Sequence, residues 1–175
     1  MLLRGTVVAD SATVLQDGAV VVEGSTIEAV GEHAEIADRY PDHEVATYDI
    51  LLPGLVGAHI HSVQSLGRGI ADDATLLDWL FDHILPMEAN LSADEMRLAA
   101  ELGYLELIET GTTTAIDHLS VSHAEEAFEA AGEMGIRGRL GKVLMDQRSP
   151  DGLLEDTQAG LEESERLIET YHGSF

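Results

Sequence analysis

Through the first fifty residues, apolar side chains fall at alternating positions and many of them are β-branched. LLRGTVVA from Leu2, AVVVEG from Ala19, TIEAVG from Thr26 and VATYDI from Val45 each read as a short strand, because residues two apart share one face of a pleated chain. Turn formers separate them at Asp17-Gly18, Gly24-Ser25 and Gly31. Residues 1–52 therefore form a small β module.

From Leu51 the pattern changes to buried apolar runs alternating with helical periodicity. LLPGLVGAHIH (51–61) reads as a strand and loop. After a long connection, TLLDWLFDHIL places Leu76, Leu77, Leu80 and Ile84 at helical spacing, and Pro86 is expected to end that helix. A second helix starts at Ser92, with Glu95 three residues on in the capping-box arrangement, and stops at Gly111. TTTAIDHL (112–119) is the next strand and SHAEEAFEAAGEMG (122–135) its helix; IRGRLGKVLMD (136–146) is a further strand, followed by a helix from Leu153 to His172. Three strand-helix units in this order predict an α/β fold with a parallel sheet. No repeat beyond this alternation and no low-complexity linker interrupts it.

A closed (β/α)8 barrel typically takes about 250 residues, and residues 53–175 supply roughly half of that. The region is then either a smaller open α/β fold or the N-terminal part of something longer. In the second case the open sheet edge is expected to leave the isolated chain inactive and prone to self-association.

Charge narrows the partners. Asp and Glu number 33 against 9 Lys and Arg, a formal charge of -24, spread along amphipathic segments. Such a surface repels nucleic acid and anionic membranes. Lys142 is the only lysine, and a dispersed acidic, lysine-poor surface suits a protein kept soluble in concentrated salt; an ordinary acidic cytosolic protein is the alternative. With no cysteine, disulfides and thiolate metal sites are excluded, so a metal would need His, Asp or Glu. MLLRGTVVAD lacks the apolar core of a signal peptide, and no run approaches a membrane span of about 18 residues. A cytoplasmic location is expected.

Two histidines stand out in GLVGAHIHSV (54–63). His59 and His61 are two residues apart, so on a strand they converge on one point. Neutral imidazole is a common metal ligand, and such a pair is half of a zinc or iron site. A bare His-x-His can equally be a pair on a polar strand face. What favours a metal here is position, at the carboxyl end of a buried first strand, where β/α barrels carry their chemistry.

PGLVGAHIH resembles the first-strand metal motif of the amidohydrolase superfamily. The resemblance continues through GRGIADDATLLDWLFDHILPMEANLS, ETGTTTAIDHL and GKVLMDQRSPDGLLEDTQAGLEESERLIETYHG, in the order found in its mononuclear deaminases and chlorohydrolases. These include guanine deaminase, S-adenosylhomocysteine or deoxyadenosine deaminases, and triazine hydrolases. The family resemblance implies the N-terminal part of a (β/α)8 TIM-like barrel preceded by a small β-sandwich segment, and a homodimer when full length. It also implies one divalent metal, zinc or iron, held by His59, His61, a later histidine and a late aspartate. The ion lowers the pKa of a bound water that attacks an amidine-like ring carbon, while a later glutamate and histidine move protons. Those later groups are expected beyond residue 175. The implied activity is deamination of a purine or related heterocycle, with dechlorination or cyclic-amide hydrolysis as an alternative on the same scaffold. A non-catalytic domain is the alternative from another class.

The same resemblance supplies candidate substrate-binding residues. Gln64 corresponds to a glutamine that guanine-type deaminases set against the purine amide, which favours an oxopurine-like ring; as a plain polar loop residue it would do nothing. Trp79 and Glu88 match an aromatic and a carboxylate placed against the sugar in adenosine-type enzymes, although a core tryptophan and a solvated helix-end charge would fit as well. Asp117 and His118 follow an apolar strand and are both expected to face the site. His83 is expected on the surface, and His33, His43, His123 and His172 have no partner pattern. Lys142 invites comparison with a carboxylated metal-bridging lysine, but its GKVLMD context matches the mononuclear group instead.

Overall fold

In the computed structural model, which describes residues 1–174, the early apolar runs become β1 (Leu2–Val8), β2 (Val14–Glu23), β3 (Thr26–Glu32) and β4 (Val45–Leu51). They form one sheet in the order β3-β2-β1-β4, antiparallel except for the β1–β4 pair. This sheet belongs to the first of two compact units, Met1–Gly54; the second begins at Leu55.

One expectation for the first unit, that it holds strands alone, is corrected. A helix, α1 (His33–Arg39), interrupts the strands and buries Ile36 against Leu2, Ala19 and Val21. One buried position in seven residues is too little for helical periodicity to register in the sequence. Among the described residues this unit is a single sheet backed by that helix.

The second unit carries β5 (Leu55–Ile60), β6 (Thr112–His118) and β7 (Arg137–Gly141), parallel and in the order β5-β6-β7. Its three longer helices are α4 (Ala93–Glu109), α5 (Ala124–Met134) and α6 (Thr157–Tyr171). A continuous core joins them, with Val63, Met96, Tyr104, Leu119, Phe128 and Leu167 among its buried members. Alternation along β6 puts Ala115 and Asp117 inward and leaves Ile116 and His118 exposed.

The α4 boundaries follow the sequence signals. Ser92 accepts from the Glu95 N–H while the Glu95 carboxylate accepts from the Ser92 N–H, and Gly111 takes the left-handed φ of +83° just past the end. Other boundaries move. The strand expected to run to Asp146 ends at Gly141, because β6, its ladder partner, ends at His118. The last helix starts at Thr157, not Leu153, since Asp156 caps it by accepting from the N–H groups of Gln158 and Ala159.

Pro86 does not end its helix. Leu76–Asp78 (α2) continues through a π-helical stretch, Trp79–Ile84, into α3 (Leu85–Asn90), with Pro86 in the first turn of α3. The Leu85 N–H reaches back five residues to the Leu80 carbonyl. This wider turn accommodates a proline that would otherwise lose its bond and clash with the preceding turn of an α-helix. No helix among the described residues is long and apolar enough to cross a membrane.

Candidate metal centre and adjoining cleft

His59 lies near the carboxyl end of β5, and His61 is the residue that leads into a 3₁₀ turn, Ser62–Gly67. Their Nε2 atoms face each other at 3.1 Å. The His61 Nδ1 lies 2.8 Å from the His118 carbonyl oxygen. A carbonyl only accepts, so Nδ1 carries the proton and Nε2 presents its lone pair, which is how ligating histidines are commonly oriented.

These residues fit half of a divalent metal site. Two nitrogens bound to one zinc at about 2.0–2.1 Å lie no more than ~4.2 Å apart, and the observed separation satisfies that limit. No group of three or more metal-ligating side chains occurs among the described residues. His118 comes near without completing a trio: its ring centroid is 5.3 Å from that of His61. Burial, then the neighbouring His61 and His59, lowers the pKa of His118 and favours its neutral ring.

A cleft of about 260 Å³ adjoins His61 and is lined also by Gln64, Arg68, Trp79 and Ile84. Trp79 is thus a cleft residue and not a core residue. Glu88 is no solvated charge: it is 4% exposed, and its two oxygens accept from Gln64 Nε2 and Ser120 Oγ, each at 2.7 Å. In an unbroken α-helix, nine residues turn Trp79 and Glu88 ~180° apart. The π-helical stretch removes part of that rotation, and the two side chains meet the same neighbourhood around Gln64. His83 is exposed, as expected.

The expectation that Asp117 faces the site with His118 is corrected. Strand alternation sends the two to opposite faces, and Asp117 is 2% exposed. Its carboxylate accepts from the Ser62 N–H at 3.1 Å, the Ser62 hydroxyl at 2.5 Å and the Tyr104 hydroxyl at 2.8 Å. Burial raises its pKa against the opposing pull of those donors. Ser62, Tyr104 and Ser120 were not singled out from the sequence. The one available signal was Tyr104 on the buried stripe of α4, where a hydroxyl must find a partner. Lys142 is not part of this site; it is paired with Glu155 at 2.6 Å.

The fold and site are those of a mixed α/β protein with paired imidazoles and a cleft at the carboxyl ends of parallel strands. Residues 50–174 match the amidohydrolase family, and the chain belongs to that family. Residues 18–42 also match an imidazolonepropionase-like composite domain of bacteria. Over 178 aligned residues the chain is 36% identical to a 5-methylthioadenosine/S-adenosylhomocysteine deaminase of Syntrophus aciditrophicus, covering 99% of this chain and 39% of that protein. Among solved structures it resembles E. coli guanine deaminase, with a TM-score of 0.85 at 29% identity, over 98% of this chain and 44% of the other. An atrazine chlorohydrolase from Arthrobacter aurescens, solved with zinc, gives 0.84 at 25% identity over 98% and 43%. The chain thus spans about two fifths of the length of these relatives.

Proposed function

We propose that the intact protein is a metal-dependent aminohydrolase that releases ammonia from an aminopurine, free or as a nucleoside, or from a related heterocycle. The observation that carries this is the 3.1 Å approach of the His59 and His61 Nε2 atoms, with His61 oriented by the His118 carbonyl. In this reading β5, β6 and β7 are the first three strands of a (β/α)8 barrel, and their carboxyl ends form part of its catalytic face. His59 and His61 hold one divalent ion, zinc or iron. When bound, the ion supplies Lewis-acid activation of water. The remaining ligands and the proton-transfer groups come from the part of the relatives that this chain does not span.

Within the chain, Trp79 offers a flat apolar wall to a planar ring, and Gln64 a carboxamide edge. One Gln64 N–H is committed to Glu88, which leaves its second N–H and Oε1 for a ligand. His118, with its ring centroid 5.3 Å from that of His61, stands beside the metal position and not in the cleft lining. The acidic surface leaves small heterocycles, not nucleic acid, as substrates, and the family resemblance supports a homodimer in the cytoplasm. The oxopurine reading rests on Gln64; the nucleoside reading rests on Trp79, Glu88 and the relatives named for methylthioadenosine and S-adenosylhomocysteine.

The test is metal analysis of the intact protein and of its His59→Ala/His61→Ala variant, with ammonia release measured from guanine, deoxyadenosine, methylthioadenosine and S-adenosylhomocysteine. Stoichiometric metal and turnover of one of these, both lost in the variant, are expected. Full metal content in the variant removes the ligand assignment. A second reading, hydrolytic dechlorination, is supported by the likeness to the atrazine enzyme, and chloride release from a chlorotriazine without ammonia release from any purine would favour it.

A further inference from the structure

His61 and Gln64 both belong to one short segment, the residue leading into the 3₁₀ turn Ser62–Gly67 and the turn itself. Such a segment has little regular hydrogen bonding of its own and needs outside fixing. Three groups from neighbouring elements grip it at Ser62. Ile60 pairs with Asp117 in the β5–β6 ladder, and from there the Asp117 carboxylate reaches past the end of β5 to take both the N–H and the hydroxyl of Ser62. The Tyr104 hydroxyl, from α4, donates to the same carboxylate. Gly103, beside it, lets the turn seat on α4: a Cβ there would lie 2.9 Å from Ser62 Cα, 3.0 Å from Ser62 Cβ and 2.8 Å from Ser65 Oγ. All the side chains in this grip are buried or half-buried, and Ser62 and Tyr104 are fully inside.

We infer that Asp117, Tyr104 and Gly103 are positioning residues that set where His61 presents its Nε2 and where Gln64 meets the cleft. None of them touches the metal position; they act through Ser62. The inference rests on His59 and His61 being ligands, as proposed above. His61 is then fixed from β6 twice, by the His118 carbonyl on its ring and by the Asp117 carboxylate on the backbone that follows it. Every bond in this arrangement is made within the chain.

The experiment uses the intact protein stripped of metal and titrated with Co2+, whose visible absorption reports ligand geometry, with a chelator competing for the ion. Gly103→Ala is the most informative variant, because alanine favours a helix over glycine and the atoms nearest its new methyl belong to Ser62 and Ser65. Asp117→Ala and Tyr104→Phe remove the carboxylate and one donor; Asp117→Asn keeps an acceptor oxygen for the Ser62 N–H. Gly103→Ala and Asp117→Ala are expected to weaken Co2+ binding about 10- to 100-fold, as loss of groups that orient ligands does, and to shift the absorption bands. Tyr104→Phe should have a smaller effect in the same direction, and Asp117→Asn should recover most of the affinity. If Asp117→Ala does not fold, Gly103→Ala and Tyr104→Phe with native circular dichroism decide the matter. Folded variants that bind Co2+ with wild-type affinity and spectrum overturn the inference. His59→Ala separates the two readings: if it too leaves Co2+ binding unchanged, the ligand assignment falls and this inference with it, whereas loss in His59→Ala alone overturns only the positioning role.

Discussion

In the proposed function Gln64 has two jobs that one substitution can separate. Its Nε2 is a donor to the buried Glu88 carboxylate, and the residue lines the cleft, where its remaining donor and acceptor would meet the substrate. Gln64→Met keeps the side-chain length but leaves Glu88 with the Ser120 hydroxyl alone. Loss of a partner from a buried polar group typically costs about 1–3 kcal/mol, toward the upper end for a charged one. The intact variant is therefore expected to unfold at lower denaturant with an unchanged slope. Its kcat/KM for an oxopurine should fall about 10- to 100-fold, while a substrate that makes no use of the carboxamide is affected little. Unaltered stability would show that Glu88 does not depend on this bond.

Among the elements, α4 offers the cleanest test, because its cap is complete. Ser92→Ala removes one half of the capping box and is expected to cost about 0.5–2 kcal/mol, measured by denaturant unfolding of the intact protein. The other half is pH-dependent. The Ser92 N–H, then its hydroxyl, hold Glu95 below its ordinary pKa, so this contribution is present above the unfolded value and disappears as the pH falls through the folded one. The stability difference between the wild type and Glu95→Gln should narrow as the solution is acidified below the usual glutamate range. A difference constant with pH would mean that the ionised carboxylate contributes nothing to the cap.

Caps of this kind are why α4 was legible in the sequence and α1 was not. Ser92, Glu95 and Gly111 each mark a boundary through local chemistry, whereas α1 buries Ile36 only because the sheet is there to receive it. Pro86 misled for a related reason: its local preference is real, but a π-helical stretch before it relieves the conflict. At the site, His59 and His61 could be paired from strand geometry alone. The bond from Gln64 to Glu88 spans 24 residues and no local pattern predicts it. The expectation that Asp117 and His118 share a face conflicts with strand alternation, which sends neighbours apart; which of the two points inward is decided by the Ser62 and Tyr104 donors, and no local pattern predicts them.

For the whole molecule, the formal charge of -24 is the dominant long-range term. Like charges over a small surface oppose the compact state, and raising ionic strength from 0.1 M to 1 M shortens the screening length from about 10 Å to about 3 Å. The melting temperature of the intact protein should rise with sodium chloride over that range; about 1 kcal/mol of relief corresponds to ~2–4 °C in a chain of roughly 150–250 residues and to proportionally less in a longer one. A flat or falling melting temperature would count against a surface suited to concentrated salt. The scarcity of positive charge has a second consequence, for covalent chemistry. The single lysine, Lys142, has a side chain 4% exposed, with Nζ donating to both oxygens of Glu155 and to the Val143 carbonyl. An amine held this way is shielded from solvent with its hydrogens committed to three acceptors, and so is a poor nucleophile. A succinimidyl ester applied to the intact protein near neutral pH should pass over Lys142, as peptide mass mapping would report. Ready labelling of Lys142 would show that the Lys142–Glu155 pair opens easily. Otherwise, lysine-directed cross-linkers, fluorophores and acylating enzymes would find no reactive lysine anywhere in residues 1–174.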